Sequence, residues 1–224
     1  MNRPAKAQLF QLIAQVAHAI ANPHRLELLD LLVQAPRSVE QLAVASAMSV
    51  ANASQLLQRL KRAGLVVGER RGTTIRYRLA DPAVARLWTE LRSMAVNQLA
   101  EVERALDHYR PQRRRFPTIT PTALQAGMAR GDTLLLDVRP AEEFSAGHLP
   151  GAISIPLEEL PDRLPQLPID TLIVTYCRGP LCVYADEALA QIVASGRRGA
   201  RLEEGVAEWQ LAGYPLEHAP MVKA

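Results

Sequence analysis

The chain has 224 residues, 48% of them hydrophobic, enough for packed cores and consistent with one large domain or two small ones. Its net charge of +3 hides a division: residues 1–115 carry 18 Lys+Arg against 9 Asp+Glu, and residues 116–224 carry 8 against 14. A basic half followed by an acidic half predicts that only the first meets a polyanion. No apolar run approaches the ~18 residues of a membrane span. Met1 to Lys6 lack the apolar stretch and cleavage site of a secretory signal, so a cytoplasmic protein with no membrane partner is expected.

The N-terminal half reads as helices. Leu9, Leu12, Ile13, Val16 and Ile20 recur at helical spacing. Asn22-Pro23 caps and restarts the chain, and Leu26, Leu28, Leu29, Leu31 and Leu32 follow in a second helix that Pro36 ends. Ser38 caps a short third helix. Past the turn at Met48-Ser49, a fourth helix is expected from Val50 to Ala63, stopped by Gly64. Two short strands then flank Arg70-Arg71-Gly72, a hairpin with a basic tip. Asp81-Pro82 opens a helix expected to run unbroken to Tyr109, with Leu87, Leu91, Met94, Leu99, Val102 and Leu106 on one side. Residues 110–118 have two prolines, four arginines and no periodicity, which predicts a basic linker between domains at 1–109 and 119–224.

Three helices, a turn-linked fourth and a basic hairpin predict a mainly-α winged helix-turn-helix. A helix fits the major groove and its polar side chains read base edges. Ser49, Asn52, Ser54, Gln55 and Gln58 supply such groups, with Leu56, Leu57 and Leu60 on the buried side. Arg59, Lys61, Arg62, Arg70, Arg71, Arg76 and Arg78 are placed for phosphates, whose contacts position the protein and make binding salt-sensitive. Burying the long helix calls for a second chain, and a two-fold homodimer predicts a palindromic operator in double-stranded DNA.

The segments Asn22-Pro23-His24-Arg25-Leu26-Glu27-Leu28-Leu29, Ser38-Val39-Glu40-Gln41-Leu42-Ala43 and Leu56-Leu57-Gln58-Arg59-Leu60-Lys61-Arg62-Ala63-Gly64-Leu65-Val66 resemble the ArsR-type winged-helix repressors. Many members of that family bind metal or arsenic through third-helix cysteines. Here Arg37-Ser38-Val39-Glu40 stands in that place, and Asp107-His108 is the only close His/acid pair near the last helix, so no metal is expected.

The C-terminal half alternates strands and helices. Leu134-Leu135-Leu136-Asp137-Val138, Ala152-Ile153-Ser154-Ile155 and Thr171-Leu172-Ile173-Val174-Thr175-Tyr176 read as strands, and a helix is expected from about Val183 to Ser195. Solid apolar strands predict a parallel α/β sheet. The two cysteines, Cys177 and Cys182, lie five positions apart at the end of the third strand. In a reducing compartment such a pair points to chemistry or metal binding before a structural bridge. A strand-to-helix turn aims backbone N–H groups at an anion, which predicts a lowered thiol pKa at Cys177, with Arg178 adding charge and Gly179 permitting the curvature. Pro180 removes one donor.

Leu136-Asp137-Val138-Arg139 with Glu143-Phe144, Gly147-His148-Leu149-Pro150-Gly151-Ala152, the loop from Tyr176 to Cys182, and Glu204-Gly205-Val206-Ala207-Glu208-Trp209 with Tyr214-Pro215 resemble rhodanese-homology domains. The resemblance implies a rhodanese-like parallel sheet in which Cys177 carries sulfane sulfur as a persulfide, from a donor such as polysulfide or thiosulfate, with no cofactor. Relatives acting on phosphate or arsenate have Arg six positions after the Cys, where this chain has Val183. Asp137, Arg139 and Glu143 are expected to form structural ion pairs, and His148 to belong to a turn. Cys182 reads either as a resolving thiol or as a small buried residue. Three functions remain open: a DNA-binding regulator, a repressor, that senses sulfur at Cys177; a sulfurtransferase that uses its helical part to dimerise or localise; and a thiol-based metalloid sensor.

Overall fold

The computed structural model describes residues 3–218, the Arg71 side chain apart. Two compact units divide between Leu91 and Arg92. The first contains α1 (Arg3–Ile20), α2 (Pro23–Gln34), β1 (Arg37–Ser38), α3 (Val39–Ala45), α4 (Val50–Arg62), β2 (Val66–Arg71), β3 (Thr74–Leu79) and the start of α5 (Pro82–Gln98).

Local signals place most of these ends. Asn22 Oδ1 accepts the Arg25 amide at 3.1 Å and Pro23 fills the first turn of α2. Ser38 and Gln41 form a reciprocal capping box on α3, and Ser49 Oγ accepts the Asn52 amide at the start of α4. Past α4, Gly64 takes a positive φ of 73°, where a Cβ would be strained. Leu28, Leu42, Leu57 and Leu60 are fully buried in one cluster with Val66 and Tyr77, each burial contributing about 1.5–3 kcal/mol. Trp88 Nε1 donates to Asp30 Oδ1 at 2.8 Å, tying the first half of α5 to α2. The hairpin β2–β3 gains a third strand, since β1 pairs antiparallel with β3 through Arg37↔Tyr77 and Ser38↔Arg76. Two residues, the second of them a helix cap, carry no alternation, which is why β1 escaped the sequence pattern.

The second unit takes the rest of α5, then α6 (Ala100–Tyr109), β4 (Thr118–Ile119), α7 (Pro121–Arg130), β5 (Thr133–Asp137), α8 (Ala141–Ala146), β6 (Ile153–Ser154), α9 (Leu160–Arg163) and a 3-10 turn at Leu164–Gln166. β7 (Leu172–Tyr176), α10 (Tyr184–Ala194), β8 (Gly199–Leu202) and α11 (Val206–Leu211) complete it. The sheet is parallel, in the order β4-β8-β7-β5-β6. Leu135, Leu136, Ile173 and Val174 are wholly buried, as a strand covered on both sides requires.

Two expectations need correction. The helix foreseen over 82–109 is broken at Leu99, whose φ of −111° and ψ of 103° are extended, so α5 and α6 are separate helices. Neither Gly nor Pro marks the break. The stretch 110–118 is not a solvated linker throughout: Arg110 is 2% exposed, and its guanidinium lies against Asp186 of α10. Arg113 and Arg114 return to Asp107 and Glu103 of α6. Arg110, Arg113 and Arg114 look solvated in the sequence until the acids that meet them are placed by the fold.

Candidate functional site

Cys177 follows β7 at the carboxyl edge of the sheet. From β5 the chain crosses to β6 on one side, and from β7 it crosses to β8 on the other, so the crevice between β5 and β7 is where the strand order reverses. Ligand sites of open α/β sheets form at that point. Register puts Asp137 beside Tyr176, and the Val138 amide donates to the Tyr176 carbonyl at 3.3 Å. Beyond the strand ends, Val138, Pro140, Pro156, Leu157, Glu158 and Tyr184 line a cavity of about 220 Å³.

The loop 177–182 is held on every side. The Cys182 amide donates to the Gly179 carbonyl at 3.1 Å, closing a turn in which Gly179 has a φ of 116°. A Cβ there would lie 2.8 Å from Glu208 Oε2, and one on Gly205 would overlap the Arg178 carbonyl. Both glycines therefore let α11 pack on the loop. Glu208 is itself fixed, because its Oε2 accepts the Gly205 amide at 2.9 Å. Arg178 grips the wholly buried Glu143 through Nε at 3.0 Å and Nη2 at 2.6 Å, and lies over the Tyr184 ring. Arg110 donates to the Pro180 carbonyl.

Both thiols are buried, Cys177 at 4% and Cys182 at 7% exposure, and they are not bridged. Cys177 Sγ donates to the Cys182 carbonyl oxygen at 3.6 Å, and the two thiols are close enough to shift each other's pKa. Backbone amides of Gly179 and Ala185 face Cys177, and those of Arg178 and Tyr184 face Cys182. Burial pushes the Cys177 thiol well up, and the neighbouring Cys182 adds to the rise. The hydrogen bond from Cys177 brings Cys182 down to about 7 against the opposing effect of burial, with the Arg178 and Tyr184 amides and the Arg178 charge helping. The sequence expectation placed the lowered pKa on Cys177. The fold moves it to Cys182, because one proton shared between two adjacent thiols stays on the more deeply buried sulfur. Replacing Cys177 by Ala removes the donor, so the Cys182 midpoint should rise above 7 in a thiolate absorbance titration; an unmoved midpoint would disprove the thiol–thiol bond.

Asp137 and Arg139 form a wholly buried ion pair at 2.6 Å that also receives the Tyr176 hydroxyl, as expected of a structural pair. Glu143 also forms an ion pair, with Arg178, and so anchors the loop 177–182. His148 stacks on Phe144 and contacts its carbonyl through Nδ1, a turn role. Glu208 and Arg110 are site residues that sequence reasoning did not foresee; Arg110 carries no signal, since it lies among linker arginines.

In the first unit, α4 buries Ala53, Leu56, Leu57 and Leu60 and exposes Asn52, Gln55, Gln58, Arg59, Lys61 and Arg62, with Ser54 half-buried. Ser49 is exposed, but its hydroxyl is engaged as the cap. Gln58 Nε2 donates to the Tyr77 hydroxyl at 3.0 Å, which orients its amide. On the wing, Arg70 donates to the Gly72 carbonyl and Arg76 to that of Pro36. Each guanidinium has five N–H donors, so such a bond leaves others for phosphate. Arg78 is paired with Glu69 at 2.7 Å, which offsets its charge. The Arg71 side chain lies outside the described residues.

A winged helix-turn-helix unit followed by a rhodanese-like α/β unit with a cysteine loop defines a DNA-binding transcriptional regulator that carries a rhodanese domain. The profile of the bacterial regulatory proteins of the arsR family matches residues 22–67, and that of the rhodanese-like domain matches residues 120–212. The chain is 43% identical over 219 residues to the HTH-type transcriptional regulator Rv0324 of Mycobacterium tuberculosis, covering 97% of this chain and 95% of that one. It therefore belongs to the ArsR-family regulators with a C-terminal rhodanese-like domain. A sulfurtransferase of Allochromatium vinosum is 33% identical over 86 residues, covering 38% of this chain and 78% of its own length. A solved homodimeric winged helix-turn-helix domain from Mycobacterium bovis, a possible ArsR-family regulator, is 43% identical, covers 44% of this chain and 90% of its own, and superposes with a TM-score of 0.41.

Proposed function

We propose that this regulator represses transcription as a homodimer on a palindromic operator and responds to sulfane sulfur loaded on Cys177. The observation that carries this reading is the loop 177–182: its amides face two buried thiols at the reversal point of the sheet, while the winged-helix half of the chain has no cysteine. Cys177, Arg178 and Cys182 form the proposed sulfur site. The proposed donor is a small sulfur species such as polysulfide or thiosulfate. Ser49, Asn52, Ser54, Gln55, Gln58, Arg59, Arg62, Arg70, Arg71 and Arg76 are the proposed DNA contacts. Dimerisation is supported by α1, which buries no residue and exposes Leu9, Phe10, Leu12 and Ile13 by 53–65%, an apolar surface a folded chain covers with a partner.

The test is fluorescence anisotropy on a selected DNA site, with and without polysulfide. A shift in affinity of about 5-fold or more is expected, the usual scale of coupling between two sites. Equal affinity for loaded and unloaded protein would sink the reading. For the interface, Arg62→Ala should weaken binding to all sequences and reduce the slope of log affinity against log salt by about 0.9. An unchanged slope would remove Arg62 from the phosphate contacts.

A further inference from the structure

We infer that the sulfur site is a two-thiol device in which Cys182 attacks the Cys177 persulfide, releasing sulfide and leaving a Cys177–Cys182 disulfide. The inference deepens the proposed function, because it rests on sulfur loading at Cys177. Three observations carry it. Cys177 Sγ donates to the Cys182 carbonyl oxygen at 3.6 Å, which holds the two cysteines side by side in the reduced protein, so attack needs no domain movement. Both lie in the same apolar cluster as Ala185 and Ala188 of α10, which keeps the pair out of bulk water. The loop joining them packs against Glu208 at Gly179 and is fixed by Glu143 at Arg178 and by Arg110 at Pro180, so the neighbouring thiol is held at the position where the persulfide forms.

The chemistry balances. In loading from thiosulfate, Cys177 Sγ passes its proton to Cys182 and bonds to the sulfane sulfur, the S–S bond of thiosulfate breaks, and sulfite leaves. In resolution, Cys182 Sγ bonds to Cys177 Sγ, the persulfide S–S bond breaks, and the outer sulfur departs as hydrosulfide carrying the Cys182 proton. Two thiols are oxidised to a disulfide and one sulfane sulfur is reduced to sulfide. Resetting the site takes two equivalents of a low-molecular-weight thiol, by ordinary exchange. A resolved disulfide, unlike a persulfide, ties both ends of the loop together, which makes a durable signal from a transient sulfur load.

The experiment is mass spectrometry of the full chain and its tryptic peptides after treatment with inorganic polysulfide or thiosulfate, together with sulfide measurement in the thiosulfate arm, where only resolution releases sulfide. Wild type should lose two hydrogens, with both cysteines in one linked peptide and one equivalent of sulfide per chain. Cys182→Ala should hold one extra sulfur on Cys177 and release none, and Cys182→Ser repeats the test should Ala disturb the loop. A stable extra sulfur in wild type as well as in the variants overturns the resolving role and leaves the carrier reading standing. Variants that take up no sulfur from either donor overturn the carrier reading, and this inference with it.

Discussion

Asp186→Ala should cost the second unit about 3–5 kcal/mol, the scale for removing one partner of a buried ion pair. Asp186 is 3% exposed and serves two guanidiniums at once. Arg110 reaches it through Nε at 2.7 Å and Nη2 at 3.1 Å, and Arg201 of β8 reaches it through Nη1. Each arginine is 2% exposed, so removal of the carboxylate leaves two buried guanidiniums with only Glu203 to share. Arg110 keeps the Pro180 carbonyl and Arg201 keeps Glu203 and the Arg113 carbonyl, which limits the loss but leaves one carboxylate between two guanidiniums. Urea unfolding followed by Trp209 fluorescence in a Trp88→Phe background reports the second unit, because the two tryptophans lie in different units. Asp132→Ala is the contrast. Its pair with Arg130 is more than half exposed and should shift the midpoint immeasurably. Equal midpoints for the two variants would contradict the network.

Cys177→Ser should lower sulfur uptake from thiosulfate by at least about 10³-fold, the scale of losing a nucleophile, and should abolish the effect of sulfur on DNA affinity. A serine hydroxyl fits the space but stays protonated and far less nucleophilic. DNA binding by the untreated variant should match wild type, since the sulfur loop belongs to the second unit and α4 to the first. The outcome also separates the two sulfurs. Cys182 has the lower pKa, and uptake that survives in Cys177→Ser with the sulfur on Cys182 would transfer the carrier role to it.

Much of the fold was legible locally. Asn22, Ser38, Ser49 and Gly64 mark helix ends through their own backbone hydrogen bonds or dihedrals, which depend on near neighbours alone. The apolar runs ending at Asp137 and Tyr176 betray buried parallel strands, and the loop after Tyr176 places the cysteines. β8 escaped because Gly199-Ala200-Arg201-Leu202 lacks an apolar run; its arginine is buried only because Asp186 and Glu203 meet it. α7 and α11 are short and were hidden among Gly and Pro punctuation.

The sequence by itself determined the two-part architecture, the family of each part, the reading helix with its polar face, and the two cysteines five positions apart. Caps, hydrophobic periods and motif spacing are short-range properties, and a sequence records them directly. Only the tertiary structure decided the break at Leu99, the burial of Arg110, the pairing of Arg178 with Glu143, and the sulfur on which the lowered pKa falls. Each of these depends on which distant side chain arrives beside a charge or a thiol. Coulomb and desolvation energies are set by that neighbour and by the exclusion of water around it.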